Sequence, residues 1–135
     1  MTDNDNATIT LPRSGQAPLQ FPGRLEVDST SQRFNSPCQR RWHQLYIYRH
    51  QDGRLVLAIS YFSGWQGEVP RHHAYICTDE AELRRRIAEH DPLADLIGLP
   101  PGEQFAVKQE RMKGILRQCW DNAVSSLLDK YPEKI

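Results

Sequence analysis

The stretch "WHQLYIYRHQDGRLVLAISYFS" (42–63) decides the fold, because it contains two strand-like segments around a turn. Both segments are rich in β-branched, aromatic and aliphatic residues, and the Asp-Gly pair at 52–53 is a strong hairpin signal. Two registers compete for this hairpin. A two-residue loop would pair Tyr46 with Ile59, whereas a three-residue loop with a left-handed glycine would pair Leu45 with Ile59.

We favour the three-residue loop because it separates the side chains of the hairpin by type. One face is then purely aliphatic and contains Leu45, Ile47, Leu55, Leu57 and Ile59. The opposite face is rich in aromatic residues and contains Trp42, Tyr46, Tyr48, Val56, Ala58 and Phe62. This second face needs a cover, which the N-terminal arm, the helices or a partner can supply.

Downstream of the hairpin, residues 69–78 are typical of a third strand, and a helix over 79–90 follows at once. Thr78 is a suitable N-cap for this helix, and acidic residues in the first turn favour its positive end. Pro92 ends the helix and can open a short second one through Ile97.

A stripe of apolar residues predicts a long last helix that begins at residue 104 or 109 and ends at Lys130. Gly114 lies inside this helix, where glycine costs about 1 kcal/mol relative to alanine. We therefore expect a close packing contact or a kink at Gly114.

The N-terminal residues 1–37 are rich in proline and small polar residues, so we expect a largely extended or disordered arm. The alternation in "RLEVDS" (24–29) predicts at most a short edge strand there. Residues 38–135 are expected to form a single α+β domain. Its small antiparallel sheet, built from hairpin 42–63 and strand 69–78, packs against two or three C-terminal helices.

The charge balance argues against broad electrostatic partners. The chain has 17 Lys and Arg and 17 Asp and Glu residues, so its formal net charge is zero. Binding to nucleic acid or to acidic membranes needs a basic excess on some face. No stretch is long and apolar enough to span a membrane, and the N-terminus lacks the features of a secretory signal. We therefore expect a cytoplasmic protein without a membrane partner.

The remaining composition fits this location. Arginine outnumbers lysine, as is typical of GC-rich bacterial genomes. The three cysteines are widely spaced and form no CxxC pair, which predicts reduced thiols. Cys77 and Cys119 are expected to be small core residues.

No metal site and no cofactor are predicted. Glu68 and His72 have a helical ligand spacing, but this stretch reads as a turn into a strand. His72 and His73 are strand neighbours and point to opposite faces, so they cannot readily share one ion. We assign no catalytic residue, although Cys77 across the sheet from His43 is a conceivable nucleophile and base.

The aromatic and arginine residues of the β-region are of the types that dominate protein interfaces. The candidate contact residues are Trp65, Trp42, Tyr46, Tyr48, Arg40, Arg41 and Arg71. They predict a small, non-enzymatic protein-interaction or regulatory module, with an unidentified protein or a second copy of the chain as partner.

Two alternatives remain open. The arginine and aromatic residues of the sheet can instead bind nucleic acid, although the zero net charge disfavours this. The chain can also be a small hydrolase-like enzyme with an acid–base site near Glu68 and His72, supported by His73 and His43.

Overall fold

The computed structural model describes residues 7–31, 41–64, 68–96 and 106–131. Its sheet has five antiparallel strands that neighbour one another in chain order. The strands are β1 (Ala7–Arg13), β2 (Gln16–Thr30), β3 (Arg41–His50), β4 (Leu55–Ser63) and β5 (Arg71–Cys77). The helices are α1 (Glu80–Glu89), a 3₁₀ helix (Pro92–Asp95) and α2 (Ala106–Lys130). The predicted α+β class is confirmed, with two strands more than the three that were expected.

The central hairpin of β3 and β4 has the register of the three-residue loop. Leu45 pairs with Ile59 and Ile47 pairs with Leu57. Gly53 has a φ of 97°, the left-handed conformation that this loop requires. The aliphatic face and the aromatic-rich face of the hairpin therefore separate as predicted.

The N-terminal segment supplies the two additional strands. Residues 7–30, which we expected to be largely extended or disordered, form β1 and β2. Strand β2 pairs with β1 on one side and with β3 on the other, so residues 24–29 lie in an interior strand and not at an edge. Local alternation did not indicate two paired strands, because the apolar residues of this segment are few and widely spaced.

The sheet curls so that the N-terminal hairpin covers the aromatic-rich face. Leu11 and Phe21 form a buried cluster with Val56, Ala58 and Ala74, against which Tyr46 and Tyr48 pack. The curl also brings the turn after β1 to β5. There the backbone N–H of Ser14 donates to the carbonyl oxygen of His72 at 2.8 Å.

The two α-helices cover the aliphatic face and form the main core with it. This cluster consists of Leu45, Ile47, Leu55, Leu57, Ile59, Cys77, Leu83, Ile87, Trp120, Ala123 and Leu127. Both faces of β4 are thus buried, which explains its nearly continuous apolar sequence.

The helix ends differ from the predictions in detail. The N-cap of α1 is Asp79 and not Thr78, and its carboxylate accepts from the backbone N–H of Glu82 at 2.9 Å. The 3₁₀ helix ends at Asp95, before Ile97. A β-carbon added to Gly114 would meet no atom of another described element within 4 Å, so the described residues do not supply the close packing contact expected there.

The described cysteines have different states. Cys77 is a free, buried thiol, whereas Cys119 is buried and disulfide-bonded. The expectation of a reduced thiol is therefore wrong for Cys119. Disulfides are rare in cytoplasmic proteins, so this bond weighs against the cytoplasmic location, which stays a prediction.

Among the described residues, no helix combines the length and the apolar character needed to cross a membrane.

Candidate metal centre

Three histidines converge on one buried carboxylate between the sheet and the helices. The Nε2 atoms of His43 and His90 lie 2.9 Å and 3.0 Å from Oδ2 of Asp95. The Nε2 atom of His73 lies 2.7 Å from the other carboxylate oxygen, Oδ1. Asp95 itself is 1% exposed. We call these four residues the His/Asp cluster.

Each member of the His/Asp cluster comes from a different element. His43 lies in β3 and His73 in β5, the two strands that flank β4. Because His43 pairs with Tyr61 and His73 pairs with Ile59, two residues apart on β4, both histidines belong to the face that the helices cover.

The helical side of the cluster depends on one tight turn. His90 is the C-cap of α1, and the 3₁₀ helix that follows ends at Asp95. Asp91 caps that helix by accepting from the backbone N–H of Leu93 at 3.0 Å. Pro92 fits its first turn, where the missing N–H is not needed. This turn brings the Asp95 carboxylate back to the His90 ring.

The cluster stabilises a negative charge at Asp95. Burial by itself would raise the pKa of this carboxyl, but the hydrogen bonds with His43, His73 and His90 outweigh it and hold the pKa well below its usual value. Asp95 is therefore a carboxylate, and each histidine Nε2 can donate a hydrogen bond to it.

His43 is a neutral imidazole. Its burial lowers its pKa by more than the hydrogen bond and charge of Asp95 raise it. Its Nδ1 atom is buried without a hydrogen-bond partner among the described residues. Apart from the contact of its Nε2 atom with Asp95, the ring is held by packing. Its centroid lies 5.0 Å from that of Trp120 and 5.1 Å from that of Tyr61.

The geometry of the cluster suits a metal ion as well as hydrogen bonds. Ligands placed about 2.0–2.1 Å from one ion are separated by roughly 2.8–3.4 Å in octahedral or tetrahedral sites. The candidate ligand atoms of His43, His90 and Asp95 all lie within 4.8 Å of one another, so small rotations would bring them around one ion. Neutral imidazole and carboxylate are the protonation states that bind metals.

A pocket of about 300 Å³ gives access to one side of the cluster. His73, His90 and Asp95 are among its lining residues, and Arg71 and Arg86 lie on its walls. The side chain of His73 is 22% exposed, so the cluster is not sealed from this pocket. An ion bound here could therefore keep a coordination position for a small molecule.

The structure separates the polar residues that the sequence grouped together. His43 and His73 lie in the His/Asp cluster, but Glu68 and His72 contact other residues. The Nδ1 atom of His72 lies 2.9 Å from the Ser60 hydroxyl on the opposite face of the sheet. His72 and His73 therefore point to opposite faces, as the strand alternation indicated.

Glu68 is held by an ion pair of its own. The Nε–H of Arg41 donates to Oε1 of Glu68 at 3.0 Å, and the Tyr61 hydroxyl donates to the same oxygen at 3.2 Å. Burial works to raise the pKa of Glu68, but the hydrogen bonds from Arg41, Ser63 and Tyr61 lower it overall. Glu68 is thus a stable carboxylate in a structural pair and not a partner of His72.

Cys77 and His43 do not form a nucleophile–base pair. Cys77 is opposite Leu55 and His43 is opposite Tyr61, six residues apart on β4. At about 3.3 Å per residue, roughly 20 Å separate them. The alternation of the strands placed both on one face, but the register sets them at opposite ends of it.

The expected interface residues are mostly committed to contacts within the chain. Trp42 stacks on Phe62 with ring centroids 5.6 Å apart, and Tyr46 and Tyr48 pack against the second buried cluster. Arg71 lines the pocket. Trp65 and Arg40 lie outside the described residues.

Sequence reasoning missed His90 and Asp95. Strand alternation was a usable signal for His43 and His73, because it places both side chains on the same face of the sheet as the aliphatic residues. For the other two, the signal was the segment "HDPLAD" (90–95), in which Asp91 and Pro92 predict a turn. Nothing local, however, showed that this turn would lie over the histidines of the sheet.

The comparisons with known proteins leave the site to be interpreted from its own geometry. The chain matches no family model, no curated protein and no solved structure.

Proposed function

We propose that the protein binds a divalent transition-metal ion at His43, His90 and Asp95, with His73 as a further ligand, and presents it to a small molecule in the pocket. One observation carries the proposal: three metal-ligating atoms from three elements lie within 4.8 Å of one another next to a pocket. Ligands that converge from separate elements are a recurrent feature of metal centres, whereas isolated surface histidines are not.

The donor set limits the choice of ion. Imidazole nitrogen with carboxylate oxygen suits Zn²⁺, Fe²⁺ and Co²⁺ better than Mg²⁺ or Ca²⁺, which prefer oxygen donors. The three ligands His43, His90 and Asp95 leave the fourth position of a tetrahedral site open, as in catalytic rather than closed structural sites. With His73 bound as well, an open position requires five or six ligands around the ion. The site therefore favours metal-assisted chemistry or ligand binding over a purely structural role.

Metal titration of the purified full chain tests this function. After treatment with a chelator, Co²⁺ and Zn²⁺ are added, and binding is followed by calorimetry and by the visible absorption of Co²⁺. We expect one saturable site in the wild type. Asp95→Asn and His73→Gln should each weaken binding by at least about tenfold, as expected for loss of a ligand or of a group that orients one.

Two other histidines provide matched controls. His72→Gln changes the neighbouring residue of β5, which faces the opposite side of the sheet. His50→Gln removes the histidine of another His–Asp pair, in which His50 Nδ1 lies 3.1 Å from Asp52. Both variants should bind metal like the wild type. Absence of saturable binding in the wild type, or equal weakening by all four variants, would exclude the proposed centre.

The protein-interaction function expected from the sequence remains a separate proposal. Its strongest candidate, Trp65, lies outside the described residues, and Arg41 is paired with Glu68. A partner captured by the wild type and lost on Trp65→Ala would support it independently of metal binding.

A further inference from the structure

The walls of the pocket beside the His/Asp cluster carry two arginines, of which Arg71 has no ion pair among the described residues and Arg86 has only a long one with Glu82. Arg71 makes no ion pair with any described residue, and its Nε atom is buried without a hydrogen-bond partner there. The Nε atom of Arg86 is likewise buried and unpaired among these residues. Its nearest carboxylate oxygen, on Glu82, is 4.0 Å away.

The acidic residues of the same pocket are engaged elsewhere. Asp95 is bound by the three histidines. The carboxylate of Asp91 lies 3.1 Å from Arg117, and that of Glu89 lies 3.8 Å from Arg85. None of these three carboxylates is paired with Arg71 or Arg86 among the described contacts, so the acids of the pocket do not occupy either guanidinium group, while Asp95 keeps its own negative charge.

Arg86 is also held in position. Its guanidinium carbon lies 4.7 Å from the centroid of the Tyr75 ring, a cation–π contact that orients the planar group. A fixed guanidinium presents parallel N–H donors that match the oxygens of a phosphate or a carboxylate. Tyr75 and Arg86 both line the pocket, so the contact orients the guanidinium at its wall.

We propose that this pocket binds the anionic group of a small molecule, a phosphate or a carboxylate, between Arg71 and Arg86. The volume of about 300 Å³ matches the lower end of small-molecule pockets. In this arrangement the arginines hold the anionic end of the molecule while its other end approaches the metal. The role of the bound molecule therefore rests on the proposed metal function. The arginine site itself is defined by charge and can be tested without metal.

Binding of inorganic phosphate and of acetate to the full chain tests the inference. Each anion is titrated into metal-free protein and into protein loaded with one equivalent of Zn²⁺, and binding is followed by calorimetry and by NMR shifts of β5 and α1 amides. Arg71→Gln and Arg86→Gln should each weaken binding of at least one anion by about tenfold to a hundredfold, since each removes charge-assisted hydrogen bonds.

Arg84→Gln is the control, because it removes the same charge from α1 at a residue that does not line the pocket and whose carboxylate partner, Glu80, does not line it either. It should leave anion binding within about twofold of the wild type. The inference is overturned if neither anion binds or if Arg84→Gln weakens binding as much as the pocket variants. Both pocket variants keep the His/Asp cluster, so they should bind Zn²⁺ as the wild type does. If the wild type binds no Zn²⁺, the proposed metal function is excluded, but anion binding that depends on the two arginines is not.

Discussion

At the scale of single residues, two glycines show how the surroundings decide what a side chain would cost. Gly114 lies in α2, and a β-carbon added there would meet no atom of another element within 4 Å in the described part of the chain. Gly23 lies in β2, where an added β-carbon would be 2.4 Å from the carbonyl oxygen of Arg49 and 2.9 Å from the Phe21 ring. The first glycine is a helical defect and the second allows a close approach of two strands.

The two positions should respond oppositely to alanine. Gly114→Ala should raise the free energy of unfolding by about 0.5–1 kcal/mol, because alanine is the better helix former. Gly23→Ala should lower it by about 1–3 kcal/mol, because the strand or the Phe21 ring must shift. Urea denaturation measures both. A destabilising Gly114→Ala would mean that the glycine has a role that its surroundings do not explain.

Cys77 illustrates how burial controls reactivity. Burial, together with the negative charge of Glu82, raises the pKa of its thiol to about 11. At pH 8 roughly one thiol in a thousand is then a thiolate, the form that reacts.

We therefore expect Cys77 to resist alkylation by iodoacetamide in the native protein at pH 8 and to react readily in urea. Peptide mapping by mass spectrometry reads out this residue. Alkylation of Cys77 at the same rate in the native and in the unfolded protein would contradict its buried position.

At the scale of elements, the start of α1 offers two neighbouring candidates for the N-cap, Thr78 and Asp79. The sequence favoured Thr78 as N-cap, but Asp79 accepts the backbone N–H of Glu82. The backbone N–H and the hydroxyl of Thr78 instead donate to the Glu82 carboxylate, at 2.8 Å and 3.0 Å. The arrangement resembles a capping box, in which the N-cap and the third helical residue exchange hydrogen bonds. Here Glu82 accepts from the backbone N–H of Thr78, one residue before the N-cap Asp79.

Asp79→Ala should therefore destabilise the protein by about 1 kcal/mol, because it leaves a helix N–H without its acceptor. Thr78→Ala, the matched control, should cost less, because the partly exposed Glu82 carboxylate can be solvated by water. Thermal unfolding of the two variants compares them directly. A larger loss of stability for Thr78→Ala than for Asp79→Ala would indicate that Thr78 is the N-cap.

At the scale of the whole molecule, the His/Asp cluster joins the sheet to the helical layer. Two ligands come from strands, one from the end of α1 and one from the 3₁₀ helix, so an ion bound there would add a link between the sheet and the helical layer to their apolar packing and hydrogen bonds. Unfolding would separate the ligands and release the ion. Metal binding should therefore stabilise the whole fold and not one element.

The expected gain follows from linkage. With free Zn²⁺ at 100 times its Kd, the free energy of unfolding should rise by about 2.7 kcal/mol. In Asp95→Asn the gain should largely disappear, and in His72→Gln it should persist. Denaturation with and without Zn²⁺ provides the comparison. A gain of the same size in Asp95→Asn would place the ion elsewhere.

Much of the sheet could be predicted from local patterns. The alternation of Leu45, Ile47, Leu57 and Ile59 selected the register of the central hairpin, since side chains in a strand repeat every two residues and a slip would bury the wrong face. The N-terminal hairpin could not be predicted in this way. Leu11 and Phe21 are too sparse to produce a pattern, and they are buried because the sheet curls around them.

The sequence by itself therefore determined the α+β class, the central hairpin and the opposite orientation of His72 and His73, because these depend on short periods and turn chemistry. Only the tertiary structure decided that His43, His73, His90 and Asp95 meet, and that Glu68 does not join them. The reason is physical: the meeting point depends on the curl of the sheet and on how α1 and its following turn pack across it. Those depend on contacts between residues far apart in the chain, which no local pattern records.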